Sequence, residues 1–134
     1  MGYYEQDNLP VTISTLIEQT INDIEINTEQ AVLHHNEGVD LVPSNLNLSM
    51  TEVNLFNAMS REYAMRNSLS KLKDSYDYIL IDCMPSLSML TTNALAMADE
   101  VIIPVQSQYL SAKGMGNLLN TISKVKRQIN NDLK

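Results

Sequence analysis

Apolar residues at Ile13, Leu16, Ile17, Ile21 and Ile24 recur at the i, i+3, i+4 spacing of one helical face, which predicts a first helix begun near Pro10 and Thr12. A shorter helix is expected over 28–34, ending at Asn36-Glu37-Gly38, where glycine takes a left-handed cap. Val39-Asp40-Leu41-Val42-Pro43 then reads as a short strand closed by its proline and by Ser44-Asn45. From Ser49 to about Leu72 the pattern is helical again, with an apolar stripe of Val53, Phe56, Met59, Ala64 and Leu69. Ser49 and Glu52 have capping-box spacing at its start. The methionines of this stretch are expected to fill core space.

The period changes at Tyr78-Ile79-Leu80-Ile81-Asp82, a nearly continuous apolar run of the kind found in strands covered on both faces. Burial of Ile79, Leu80 and Ile81 would contribute about 1.5 to 3 kcal/mol each before entropy is counted. A helix over 88–98 follows, then a second buried strand, Val101-Ile102-Ile103-Pro104-Val105, then a helix from about Ser111 to Asn130. Strands alternating with helices predict an α/β fold, a parallel sheet flanked by helices. No repeat or linker divides the chain, so residues 1–134 are expected to form a single domain.

Composition narrows the function. The chain has 134 residues, 44% hydrophobic and 19% charged, enough for a packed core without disulfides. It has no Trp and one Phe, which leaves little material for a stacking platform that binds single strands. The single cysteine, Cys83, suits a reducing compartment, and the cytoplasm is the expected location. No apolar run approaches the length of a spanning helix, the start lacks a signal-peptide pattern, and Gln6 breaks the myristoylation motif. No membrane association is therefore expected.

Charge is placed unevenly. Residues 1–60 hold nine acidic side chains and no Lys or Arg, whereas residues 61–134 hold seven acidic and nine basic ones, within a net charge of -7. An anion-binding surface is therefore expected in the second half. Lys124, Lys126, Arg127 and Lys134 are the candidates for DNA contact, against the alternative of a solvated helix end meeting its own dipole.

The chemistry concentrates at Asp82, a carboxylate at the C-terminal end of a buried strand, where parallel sheets bind ligands. Such a carboxylate is costly unless a cation or donor faces it, and in phosphate chemistry that cation is hydrated magnesium. Its alternative role is to cap the following helix, with Pro85 and Ser86 setting the turn. His34 and His35 are adjacent and, on a helix, point too far apart to share a metal. Cys83 has no nearby His in sequence, the adjacent carboxylate raises its pKa, and it is expected in the core. Ser86 and Ser88 lack the glycines of a nucleophile elbow.

The run YDYILIDCMPSLSMLTTNALAMADEVIIPVQSQYLSAKGMGNLLNTISKVK resembles the middle of the ParA/Soj (MinD-like) partition ATPases. It carries their strand ending in Asp, the Pro-Ser turn, the Asn-Ala-Leu helix, the Val-Ile-Ile-Pro-Val strand and a glycine-containing helix start. Residues 38–62 are similar too, and the first 37 match more loosely. The resemblance implies a partial P-loop NTPase (Rossmann-like) fold and a deviant-Walker ATPase that uses ATP and magnesium. It also implies dimerisation around ATP, nonspecific DNA binding and stimulation by a ParB-like centromere-binding partner. By the same resemblance Asp82 is the Walker B carboxylate that orders magnesium, and Pro85 and Ser86 form the turn that senses the γ-phosphate. Met84 stands where the family usually has proline, which loosens the turn.

The family's lysine-rich phosphate loop, of the G-x-G-K-[ST] type, does not occur: Gly2, Gly38, Gly114 and Gly116 are the only glycines, and none precedes Lys-Ser or Lys-Thr. The sequence thus reads as a middle segment. Without that loop the triphosphate loses most of its positioning and charge stabilisation, so the chain is expected neither to bind ATP tightly nor to hydrolyse it. Strands lacking their neighbours would also leave edges open to self-association, a homo-oligomer. A receiver-like phosphoacceptor is a weaker fit, since no adjacent acidic pair precedes Asp82 at a strand end. A non-enzymatic binding or self-association module is the other alternative.

Overall fold

The computed structural model describes residues 9–84, 86, 88–105 and 109–134, the last range with side chains from Met115 onward. Helix α1 spans Ile13–Ile21, and the Thr12 N–H donates to Thr15 Oγ1 at 3.2 Å at its start. In place of the expected second helix there is a single 3-10 turn, Thr28–Ala31, and the chain then extends. Strand β1, Leu33–His34, pairs antiparallel with β2, Asp40–Leu41. Asn36-Glu37-Gly38 is therefore a hairpin turn and not a helix end. Gly38 has φ of +77°, a conformation that L side chains rarely adopt.

Helix α2 spans only Leu48–Leu55, and α3 covers Ala64–Ser68, flanked by 3-10 turns at Arg61–Tyr63 and Ser70–Leu72. The continuous helix expected over 49–72 is broken at Ser60, whose φ of 51° is left-handed. The break redirects the stripe: Ala64 and Leu69 are buried, but Val53, Phe56 and Met59 are exposed, Met59 at 94%. Met65, one register on, is the methionine of this stretch that does fill core space.

Helix α4 spans Met89–Met97 and α5 spans Tyr109–Gln128, close to their expected bounds. Leu16 and Ile17 of α1, Leu55 of α2, Ala64, Met65, Leu69 and Leu72 build the main core with Ala94 of α4. A second cluster joins Leu95, Val125 and Leu133. Polar contacts lock the helices in register. Thr20 Oγ1 and Ser68 Oγ lie 2.7 Å apart between α1 and α3, and the Thr28 hydroxyl donates to the Ser68 carbonyl at 3.1 Å.

Segments 78–82 and 101–105 do not form ladders among the described residues; the paired strands there are β1 and β2 alone. Their alternation is nevertheless that of strands. Ile81 packs against the main core and Val101 against the second cluster, whereas Tyr78, Leu80 and Ile102 face outward, 87%, 89% and 86% exposed. The expected burial is corrected for Leu80 and for Ile79, which is 38% exposed: helices cover one face of these segments only in part, and nothing within the described residues covers the other. A parallel pairing does begin at the chain end, where Lys134 N–H donates to the Asp99 carbonyl at 3.0 Å and Val101 N–H to the Lys134 carbonyl at 2.9 Å.

Candidate functional site

Segment 78–82 reaches the surface at its C-terminal end, so Asp82, Cys83 and Met84 are all exposed. Their backbone is fixed from behind by Ile81 in the core and from ahead by α4. Pro85 lies outside the described residues. Ser86 is half-buried, and its N–H donates to the Met84 carbonyl at 2.7 Å, closing a tight turn. The Ser86 carbonyl accepts the Thr91 hydroxyl at 2.7 Å, which ties the turn to the first turn of α4.

The start of α4 is capped twice. Ser88 is the N-cap and its Oγ accepts from the Thr91 N–H at 3.2 Å. The Met89 N–H donates to Glu52 Oε1 on α2 at 2.9 Å. The capping box expected between Ser49 and Glu52 is thus not formed: the N-cap is Asn47, two residues earlier, so Ser49 lies inside α2, and Glu52 serves a different helix. The alternative capping role for Asp82 is filled by Ser88 and Glu52.

Asn93 was legible only as part of the Asn-Ala-Leu run, yet it is the hub behind the site. It is wholly buried, donates from Nδ2 to the Arg61 carbonyl at 2.8 Å and to the Met89 carbonyl at 3.0 Å, and accepts the Met65 N–H at 3.0 Å. At the far end of α4, Asn130 Nδ2 donates to the Leu95 and Ala98 carbonyls at 2.9 and 2.8 Å. The helix that follows Asp82 is therefore held at its start by Ser88 and Glu52, at its middle by Asn93 and at its end by Asn130.

Cys83 is exposed, correcting the expected core position, and the reason is that its segment has already left the helical layer. Partial desolvation and, second, the Asp82 carboxylate push its thiol pKa up, away from nucleophile behaviour. Asp82 makes no salt bridge among the described residues. No group of three His, Cys, Asp or Glu could hold a metal among them either. One exposed carboxylate at the end of an extended segment fits magnesium, which keeps most of its waters and takes one or two protein carboxylates together with phosphate oxygens.

Lys124, Lys126 and Arg127 are exposed on the last turns of α5; Lys124 and Arg127, three residues apart, share a helical face, whereas Lys126 lies about 160° round the helix from Lys124. Arg127 Nε donates to the Ser123 carbonyl at 3.3 Å. The histidines are not helical: His34 lies on β1 with Nδ1 2.9 Å from Asp40 Oδ1, and His35 Nδ1 accepts the Glu37 N–H at 3.3 Å. Asp40 also accepts the Tyr76 hydroxyl at 2.6 Å. These bonds, Tyr76 first and His34 second, hold the Asp40 carboxyl below its ordinary range, and Asp40 in turn raises the Tyr76 phenol. This cluster borders an open cleft of about 750 Å³ lined by Glu25, Thr28, His34, Lys71 and Tyr76, away from Asp82. The hairpin signal Asn36-Glu37-Gly38 between two apolar stretches could have found it.

The family described as AAA domain matches residues 2–134. The chain is 43% identical over 132 residues to the chromosome partitioning protein ParA of Myxococcus xanthus, covering 97% of this chain and 44% of that one. The chain belongs to the ParA/Soj family of partition ATPases. It is also 43% identical over 97 residues to the sporulation initiation inhibitor protein Soj of Bacillus subtilis, covering 72% of this chain and 38% of that one. Among solved structures it resembles cobyrinic acid a,c-diamide synthase from Mycobacterium smegmatis with bound ADP and magnesium, at TM-score 0.87 and 38% identity, over 98% of this chain and 52% of that one. A plasmid partition protein from Borrelia burgdorferi superposes at TM-score 0.71 and 25% identity, over 98% of this chain and 55% of that one.

The fold is thus a partial P-loop NTPase α/β fold. This ParA/Soj chain spans about half the length, or less, of the relatives it matches. The match from residue 2 extends the likeness across the first 37 residues. No helix among the described residues is long and apolar enough to cross a membrane.

Proposed function

We propose that this chain supplies the Walker B strand end and the phosphate-sensing turn of a magnesium-dependent, deviant-Walker partition ATPase. By itself it neither holds ATP tightly nor hydrolyses it. One observation carries the reading: Asp82 emerges exposed from a segment anchored by Ile81, and the turn after it is pinned at Ser86 by Thr91. In that assignment Asp82 orders the hydrated magnesium, and Pro85 and Ser86 face the γ-phosphate. The absent part is the Gly-Lys-Ser/Thr loop, which the sequence lacks. The similarity to the Myxococcus chromosome partitioning protein and the Borrelia plasmid partition protein supports partition as the process. Lys124, Lys126 and Arg127 then serve nonspecific contact with DNA phosphates, a ParB-like centromere-binding protein is the partner, and the cytoplasm is the location.

Manganese-ATP at millimolar concentration tests the site. Paramagnetic broadening is expected at the Asp82 and Ser86 amides and is lost in Asp82→Ala, with no turnover above background. Uniform broadening across the chain, or ATP turnover abolished by Asp82→Ala, contradicts the reading.

A second reading has its own observation. Leu80 and Ile102 face outward from extended segments without ladder partners among the described residues, which favours a module that associates with its own copies, including as a dimer.

A further inference from the structure

Glu52 and Met89 lie on different helices, and the bond between them opens a chain of contacts leading to the candidate site. The Met89 N–H is one of the four donors that a helix start leaves without internal partners, and Glu52 Oε1 accepts it at 2.9 Å. No acidic residue lies in the first turn of α4 itself, so the negative charge that favours this end of the helix dipole is delivered from α2. Within the same turn Ser88 Oγ takes the Thr91 N–H at 3.2 Å, and the Thr91 hydroxyl reaches back to the Ser86 carbonyl at 2.7 Å. Cutting the first contact loosens the turn of helix that carries the last.

We propose that Glu52 is a positioning residue for Ser86: from α2 it fixes the first turn of α4, whose Thr91 hydroxyl sets where Ser86 presents itself. The purpose of this device rests on the nucleotide-site reading above; its geometry does not. Because α2 carries Met50 and Val53 exposed, Met50 on the side away from Glu52, a displacement of that helix reaches the phosphate-sensing turn through the Glu52 carboxylate as well as through the packing of Leu55 against Ala94.

The test is amide relaxation and hydrogen exchange on the full chain without nucleotide, comparing the native protein with Glu52→Gln, Glu52→Ala and Thr91→Val. The Ser86 amide order parameter is expected near about 0.85 in the native chain and in Glu52→Gln, whose amide oxygen accepts the same N–H, and below about 0.6 in Glu52→Ala. Met89 exchange accelerates about fivefold in Glu52→Ala, the effect of losing an N-terminal cap. Thr91→Val frees Ser86 while Met89 stays protected, which separates the two contacts and stands alone if Glu52→Ala does not fold. The proposal is overturned if Ser86 keeps its order in both Glu52→Ala and Thr91→Val. It is also overturned if Glu52→Gln behaves as Glu52→Ala, or if Ser86 loosens only in step with Val125 and Leu133 of the second cluster. Since no nucleotide is present, failure here leaves the manganese-ATP outcome intact, and the reverse holds.

Discussion

Asn93→Ala should be among the most damaging single changes available to this chain. The side chain is wholly buried and satisfies the Met65 N–H, a helix-start donor of α3 with no partner inside its own helix, as well as the Arg61 carbonyl. Truncation leaves both groups desolvated, at about 1 to 3 kcal/mol each. The Met89 carbonyl is a smaller loss, because it lies inside α4 and keeps helical partners. A destabilisation of about 3 kcal/mol, divided by a urea slope of about 1.5 kcal/mol/M, moves the unfolding midpoint down by about 2 M. Asn93→Asp separates the contributions. Its carboxyl can accept from Met65 and donate only when protonated, so burial raises its folded-state pKa. The stability that proton carries is present below the unfolded value of about 3.9 and is lost as pH rises through the folded value. Urea titrations at pH 4 and pH 7 check both variants. A midpoint shift for Asn93→Ala of less than about 0.5 M, or an Asn93→Asp variant no more stable relative to the native chain at pH 4 than at pH 7, would refute the reasoning.

Three further outcomes are expected. The Asp40 carboxyl is depressed by Tyr76 and His34, so its contribution to the hairpin is present above the unfolded carboxylate range and disappears as pH falls below about 4. The raised Tyr76 phenol contributes below about pH 10 and is lost above it, and Asp40→Asn should abolish the acid-side loss in the chemical shifts of Leu33 and Leu41. Leu80→Lys with Ile102→Lys should reduce any concentration-dependent association seen by light scattering while leaving helix content unchanged, because both side chains already face outward. Cys83 should react with a disulfide reagent at pH 7 more slowly than a free cysteine despite its exposure, and Asp82→Asn should speed it; equal rates would remove the assigned effect of the carboxylate.

Where the pattern was one-sided, sequence and structure agree: α1 and α5 lie within a few residues of their expected bounds, and so does α4, which is buried over consecutive positions 93–96. The stretch 49–72 failed for a local reason, because periodicity cannot see the left-handed Ser60 that breaks it and turns Val53, Phe56 and Met59 outward. The hairpin was hidden because Asn36-Glu37-Gly38 reads equally as a helix end or a turn, and a two-residue strand has no period. The exposed position of Asp82 at the end of its apolar segment was legible because a carboxylate closing an apolar run is chemically conspicuous. Glu52 and Asn93 were not, since their partners lie 37 and about 30 residues away and only the packing of α2, α3 and α4 brings them together. The sheet was legible as composition in 78–82 and 101–105, but a ladder needs a neighbour and sequence periodicity does not supply one.

Isothermal titration of the purified chain with magnesium-ATP, repeated with EDTA, tests the central claim most directly. No heat at micromolar nucleotide in either titration is the predicted result, because Asp82 and Ser86 hold only the metal-ordering and sensing side of a site whose phosphate loop this sequence does not contain. Micromolar binding that EDTA abolishes would contradict it and would mean that these residues assemble a complete nucleotide site on their own.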